Sequence, residues 1–389
     1  MSRPRVAMIV RLFAPWVGGT ELQAQHLATE LADHDVDVRV VTGWWFRGTS
    51  QRETIDGVPV FRNTTLWEFF GIRGLRKVGG YIYMVSLAWH LWRTRAGYDV
   101  IHAHGMNYHS AVAVWTGERL GKPTITKIAN SGEASDILKM REDRQLAGSR
   151  FLLSTALRST RFVALTDAVR DELLEAGVDA ERIVRLPNGV DAPPDDDSLR
   201  RRNGTGVHAV YVGRLHTQKS LATLIEAMGK LGQQHPDVHL SLIGDGPDRE
   251  ALEQQVGVLG VGDRVHFVGQ SDDVSALLRE ADVFVLPSLV EGLSNALLEA
   301  MAHRLAVVVS DIPGNLAVVA DGENGLTFPV GDASALADRL ARLASDPSER
   351  ERLSANARRT VDSRFALPAV AEQYRDLYAG LARQEGSQP

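Results

Sequence analysis

Two carboxylates eight residues apart, Glu291 and Glu299, and two cations five apart, Arg214 and Lys219, are the side chains whose types and spacing best suit chemistry on an anionic ligand. The glutamates lie in the run Leu286 to Ala302, LPSLVEGLSNALLEAMA. An apolar strand of buried parallel type, Val283 to Leu286, precedes them. Strong helix formers, Ala296 to Ala302, follow. The stretch therefore reads strand, loop, helix, with Ser294 as N-cap. A helix opening there turns free backbone N–H groups towards the loop, and its dipole favours an anion. Asn295 and Glu299, four apart, share one helical face.

Arg214 and Lys219 repeat that setting. They follow the strand Val207 to Val212 and Gly213, at the entry to another helix. Two cations at a helix N-terminus oppose its dipole and cost stability unless an anion is present. The planar fork of Arg and the point charge of Lys both suit a diphosphate. Carboxylates beside such a site need hydroxyl donors, and a sugar nucleotide carries both a diphosphate and hydroxyls. Taken singly, the glutamates would read as solvated surface groups and the cations likewise. The strand–loop–helix settings and the adjoining glycines, Gly213 and Gly292, favour a site.

The elements that must position these groups form two successive α/β runs. In the first half, strands are expected at Val6 to Leu12, Val36 to Thr42, Asp99 to His104, Pro123 to Ala129, Arg161 to Leu165 and Ile183 to Leu186. Gly18 and Gly19 stand between the first strand and the first helix, where backbone can approach a ligand closely. The G-x-G-x-x-G dinucleotide fingerprint is absent. The pattern restarts after a Pro- and Asp-rich linker, with strands at Val207 to Val212, Leu240 to Ile243, Val265 to Val268, Val283 to Leu286, Val307 to Ser310 and an edge strand at Leu326 to Phe328. Two helices should follow, the last over about Pro368 to Leu381. The expected divisions are 1–190, 191–365 and a C-terminal helix 366–389.

Composition narrows the function. The chain has 389 residues, 44% hydrophobic and 24% charged, as an ordinary globular protein has. No cysteine is present, which excludes disulfides and thiolate metal sites. A net charge of −6 argues against general nucleic-acid binding. The opening run MSRPRVAMIVRLF has no long apolar core, so no signal peptide is expected, and no apolar stretch is long enough to span a membrane. The cytoplasm is the expected place. Asp35 and Asp37 form a D-x-D at the entry to a strand and read as solvated groups rather than metal ligands. His102 and His104 share one face of their strand. His104, at its C-terminal end where open α/β sheets bind ligands, is a candidate ligand-contacting residue. The segment Leu66 to Trp92 is loaded with aromatics among Arg73, Arg76 and Lys77. Tyr81 to Trp92, with helical spacing at Ile82, Val85, Trp89 and Trp92, reads as a helix packed on the sheet. The basic aromatic loop before it is a candidate for peripheral contact at the inner face of the plasma membrane.

The run EGLSNALLEAMA resembles the E-x7-E region of family 4 retaining glycosyltransferases, and further segments resemble that family in the same order. Gly18, Gly19 and Glu21 match its GG-x-E loop. Pro187 to Asp191, PNGVD, matches its interdomain hinge. Gly213-Arg214-Leu215 with Lys219 matches its GR-[LF]-xxx-KG motif, with Ser220 in place of the last glycine. Ile243 to Pro247 is its IGDGP. The resemblance covers nearly the whole chain. It implies an α/β GT-B fold, two Rossmann-like domains facing a cleft, with the C-terminal helix crossing back to the first. It also implies transfer of a sugar, with retention, from a nucleoside-diphosphate sugar (a UDP-sugar favoured over GDP-mannose) to an acceptor hydroxyl in envelope polysaccharide or glycolipid synthesis.

By the same resemblance Arg214, Lys219 and Glu291 carry catalysis. Gly18, Gly19 and Gly213 belong to the donor phosphates. Gly292, Leu293, Ser294 and Asn295 serve the phosphates and sugar, Glu299 the ribose, Gly244 and Asp245 the base and ribose, and Gly269 the base. Asn130, Ser131 and Glu133 join His104 on the acceptor side. Many members have His-Gly where this chain has Ser131-Gly132, so no histidine base is assigned. No metal or other cofactor is expected, the two cations taking that part. A soluble small-molecule acceptor, or an epimerase on the same fold, stays open on these residues.

Overall fold

The computed structural model describes residues 3–16, 18–46, 48–65, 76–132, 135–142, 148–194, 206–232 and 234–385. It divides into two compact units, Met1–Gly189 with Leu367–Pro389, and Val190–Ala366.

Unit 1 begins with β1 (Arg5–Val10), α1 (Gly19–Asp33), β2 (Asp37–Gly43), β3 (Arg52–Ile55), β4 (Val58–Asn63) and α2 (Arg76–Arg93). It continues with β5 (Val100–His104), α3 (Tyr108–Leu120), β6 (Thr124–Ile128), α4 (Asp136–Glu142), α5 (Ser149–Ala156), β7 (Arg161–Ala164), α6 (Asp167–Glu175) and β8 (Ile183–Arg185). The sheet runs β3-β4-β2-β1-β5-β6-β7-β8. Its ladders are parallel except β3–β4, which is antiparallel. That hairpin adds to the expected strands. Its turn, Asp56-Gly57, has positive φ at both residues, 48° and 80°, as a two-residue hairpin turn requires. Parallel strands are covered on both faces. Val6, Met8, Leu27 and Leu31 share a core with Tyr374 and Tyr378 of the C-terminal helix on one face. On the other, Ala7, Ile9 and Ile101 meet Tyr83 and Leu87 of α2 and Val112 of α3.

Helix α2 departs from its expected orientation. Tyr83, Leu87 and Leu91 are the buried positions, while Val85, Trp89 and Trp92 lie outside. The loop before it, including Trp67, Phe69, Phe70 and Arg73, lies outside the described residues.

Unit 2 contains β9 (Val207–Val212), α7 (Leu221–Leu231), β10 (Val238–Ile243), α8 (Arg249–Leu259), β11 (Val265–Gly269), α9 (Val274–Arg279) and β12 (Val283–Leu286). Then come α10 (Asn295–Ala302), β13 (Ala306–Ser310), α11 (Pro313–Leu316), β14 (Leu326–Phe328), α12 (Ala333–Ser345) and α13 (Pro347–Arg364). The chain re-enters unit 1 as α14 (Leu367–Glu385), so three helices follow the last strand rather than the expected two. The all-parallel order β11-β10-β9-β12-β13-β14 is the doubly wound Rossmann arrangement. Strand order reverses between β9 and β12, and such a switch point opens a crevice beyond the carboxyl ends of the two strands. In unit 1 the corresponding pair is β1 and β5.

Candidate functional site

The loops that leave β9 and β12 hold three of the four charged residues nominated from sequence, Arg214, Lys219 and Glu291, and α10, which follows β12, holds the fourth, Glu299. After β9 the chain passes Gly213 and the exposed Arg214, then makes a single 3₁₀ turn over Thr217–Lys219. Helix α7 starts only at Leu221, after Gln218-Lys219 where the sequence suggested its opening. Lys219 Nζ pairs with Glu291 Oε1, and the Ser288 hydroxyl donates to the same oxygen at 2.7 Å. The Glu291 side chain is 11% exposed, so its charge is held in a nearly dry loop by one cation and one hydroxyl. Among the described residues none pairs with the Arg214 guanidinium; Tyr211 Oη donates to the Arg214 carbonyl at 3.1 Å and ties down its backbone. Leu289 N donates to Gln218 O at 2.8 Å, which joins the two loops directly.

Packing around these loops leaves no room for side chains at several glycines, among them Gly244 and Gly314. Gly244 has φ +130°, and a Cβ there would overlap the carbonyl oxygen of Gly213. Gly314, at the start of α11, lies against the carbonyls of Glu291 and Gly292, and a Cβ would collide with both. Gly314 and Ser288 are supports that sequence did not nominate. Gly314 was legible only as part of a turn, because its contact is with a loop more than twenty residues away in sequence. Ser310 Oγ donates to Ser288 O at 2.6 Å, and Asn315 Nδ2 donates to Ser310 O at 2.9 Å, so β13 and α11 brace the Glu291 loop from below.

Ser294 caps α10, its hydroxyl accepting from Leu297 N at 3.4 Å. Gly292, Leu293 and Ser294 are buried, with Asn295 at the first turn. Glu299 lies one turn further on. Burial, and then the charge of Asp191, push its carboxyl up to about 7. Asp245 is exposed and accepts from Gly246 N at 2.8 Å; Gly269 closes β11 with φ +83° and accepts from Gly244 N at 2.7 Å. Ser220, where the motif has glycine, takes φ +49°, the left-handed region.

In unit 1, Gly18 is the N-cap of α1 and Gly19 its first residue, with Glu21 in the first turn. Burial raises the Glu21 carboxyl. The candidates on the acceptor side divide. His104 is buried, 2% exposed, on the face that α14 covers, so it does not open to solvent. Its ring lies 4.4 Å from that of His102, whose Nδ1 is 2.7 Å from Tyr378 Oη. Lys127, opposite His104 in the β5–β6 register, is buried, and burial lowers its ammonium to about 7. Burial also depresses both histidines far below their usual range. Asn130 Nδ2 donates to Asp136 Oδ1 at 3.0 Å, so it fixes the loop to α4. Ser131 is partly buried, and Glu133 lies outside the described residues. A pocket of unit 1 opens instead at the N-terminus of α3, lined by Met106, Asn107, Tyr108, Asp136, Lys139, Met140, Ser149 and Leu152. His104, Asn130 and Ser131 are not part of its lining. Among the described residues no group of three or more His, Asp or Glu is placed to hold a metal.

Comparison with known proteins adds the following. The family model described as Glycosyl transferases group 1 matches residues 197–360, and that described as Glycosyltransferase Family 4 matches residues 17–193. The chain is 30% identical over 298 residues to a phosphatidyl-myo-inositol mannosyltransferase of Mycobacterium leprae, covering 75% of this chain and 76% of that protein. It is 31% identical over 233 residues to an alpha-D-kanosaminyltransferase of Streptomyces kanamyceticus, covering 57% and 60%. With that protein and two lipopolysaccharide core glycosyltransferases of Rhizobium meliloti, the match spans only 48% to 60% of the relative's length. Among solved structures, HepE of Anabaena in complex with UDP-glucose aligns with a TM-score of 0.76 at 20% identity, covering 97% of this chain and 99% of that one.

Proposed function

We propose that this chain, which belongs to the group 1 glycosyl transferases of family 4, transfers a sugar with retention from a nucleoside-diphosphate sugar to an acceptor hydroxyl of an envelope polysaccharide or glycolipid. The observation that carries this reading is the meeting of Lys219 and Glu291 at the switch point of the unit 2 sheet, beside the capped start of α10. A diphosphate placed there meets Arg214, Lys219 and the α10 backbone N–H groups, whose charge and dipole stabilise the negative charge that grows as the leaving group departs. Glu291 holds Lys219 in position. With donor bound, Glu291 accepts from a hydroxyl of the transferred sugar, and Glu299 from the ribose. The acceptor oxygen bonds to the anomeric carbon on the face that the diphosphate leaves, and the acceptor proton passes to the departing phosphate oxygen. That route needs no histidine base and no metal, since the two cations supply the positive charge.

A UDP-sugar is the favoured donor. UDP-glucose in the structurally similar HepE complex supports it, as do envelope-related names among the relatives for the acceptor class. The test is incubation of pure protein with UDP-, GDP- and ADP-sugars, with and without excess chelator. Slow release of free UDP that survives chelation is the expected result. Interconversion of donor sugars without release, or activity lost to chelator and restored by Mg²⁺, would overturn the reading. The anomeric configuration of the product, read by NMR, decides retention.

A further inference from the structure

Helix α2 carries an apolar stripe on its outer side, opposite the Tyr83, Leu87 and Leu91 face that meets the sheet. Val85 is 71% exposed, Trp89 57% and Trp92 48%, and the two indoles stack at 5.2 Å. The helix sequence, RKVGGYIYMVSLAWHLWR, contains no acidic residue. Beside it, α3 presents Trp115, with the Arg119 guanidinium 3.8 Å above its ring, and just past α2 Arg95 lies 4.8 Å over Trp92. Next in the layer, α5 exposes Phe151 and Arg150. The single carboxylate of α3, Glu118, is already held by Arg158 at 2.7 and 3.1 Å, so it does not offset the cations. A chain with net charge −6 thus gathers exposed tryptophans and arginines on one layer of one unit.

We propose that the outer face of the α2–α3–α5 layer docks on an anionic membrane surface. Indole rings prefer the headgroup level, and stacked guanidinium groups keep their charge while covering apolar surface. No helix among the described residues is long and apolar enough to cross a membrane, so the contact is one of lying on the surface. The proposal deepens the envelope-acceptor reading, and vesicle binding can fail while sugar transfer succeeds. Arg62, a cation of β4 close in sequence to α2, has no part in it. Its side chain is 2% exposed, paired with Glu53 and donating to the carbonyls of Ala14 and Ser50.

The test is co-sedimentation with vesicles of phosphatidylcholine, alone and mixed with phosphatidylglycerol. Wild-type protein is expected to pellet with the mixed vesicles only, and to release as salt is raised. Arg95→Glu/Arg119→Glu/Arg150→Glu should lower the partition roughly a hundredfold, at about fivefold or more per cation. Trp89→Ser/Trp92→Ser should lower it without changing the salt dependence. All substituted positions are exposed, so melting temperatures should not move; if the triple variant fails to fold, Arg95→Glu alone replaces it. Three results would overturn the proposal: wild type left in the supernatant, variants that pellet equally, or a wild-type dimer in solution that Trp89→Ser/Trp92→Ser makes monomeric.

Discussion

The switch-point loops of unit 2 and the sheet centre of unit 1 treat charge in opposite ways. In unit 2 the charged groups meet at the end of the sheet: Lys219 faces Glu291, and Arg214 stands exposed. In unit 1 the ionisable groups are taken inside. His102, His104 and Lys127 lie under α14, and burial drives all three towards their neutral forms. The first arrangement leaves its charged groups at the end of the sheet, where the proposed diphosphate would sit. The second gives up its charge to fill a core, so a histidine at the end of a strand can be structural.

Substitutions can break this contrast on either side. The largest effect is expected at the support of the unit 2 loops. Gly244→Ala forces a methyl group onto the Gly213 carbonyl at φ +130°, and should cost about 3–5 kcal/mol in chemical denaturation, with loss of donor binding. A variant as stable as wild type would show that the loops are not locked there. Next come Arg214→Ala and Lys219→Ala, each expected to lose roughly a hundredfold in turnover, or about 2–4 kcal/mol of leaving-group stabilisation, while the melting temperature holds for the exposed Arg214 and falls for Lys219, whose removal leaves Glu291 unpaired. Wild-type rates in either would remove the diphosphate from this end of the sheet.

On the other side, Lys127→Met should stabilise the protein by about 1–4 kcal/mol at neutral pH, because an apolar side chain replaces a buried amine. The sign with pH follows from the lowered ammonium, about 7 in the fold against 10.5 when unfolded. The unfolded chain holds the proton more tightly, so the native lysine costs most below pH 7 and nothing once pH exceeds 10.5. The gain from methionine should therefore shrink as pH rises from 7, and a gain independent of pH would mean that Lys127 is not buried as an amine.

Glu299 sharpens the comparison, since it is the unit 2 carboxylate that burial does perturb. If ribose hydroxyls donate to its ionised form, donor affinity should weaken by up to about tenfold per pH unit below 7. Glu299→Gln should flatten that profile, and calorimetric titration at several pH values measures both. The smallest effect is at Ser220, whose φ of +49° suits glycine. Ser220→Gly should stabilise by about 0.5–1 kcal/mol, less the Ser220–Thr223 hydroxyl contact at 2.9 Å that it removes. A loss of stability would mean that the hydroxyl contact outweighs the backbone strain.

The alternation of strands and helices, the restart after the linker and the residues of the β9 and β12 loops were legible in the sequence, because each is local. A buried parallel strand writes itself as a short apolar run, and a loop between strand and helix carries its glycine, cation and cap within a dozen residues. Two kinds of feature were decided only by the tertiary structure. One is contact between distant segments, as where Gly314 supports the Glu291 loop or α14 closes over His104. The other is the choice of face on a helix that is apolar nearly all round. In YIYMVSLAWHLW, Ile82, Val85, Trp89 and Trp92 keep helical spacing, and so do Tyr83, Leu87 and Leu91. Periodicity cannot rank two apolar stripes. The sheet ranked them, by taking the set that fits against Ala7, Ile9 and Ile101 and leaving the tryptophans outside.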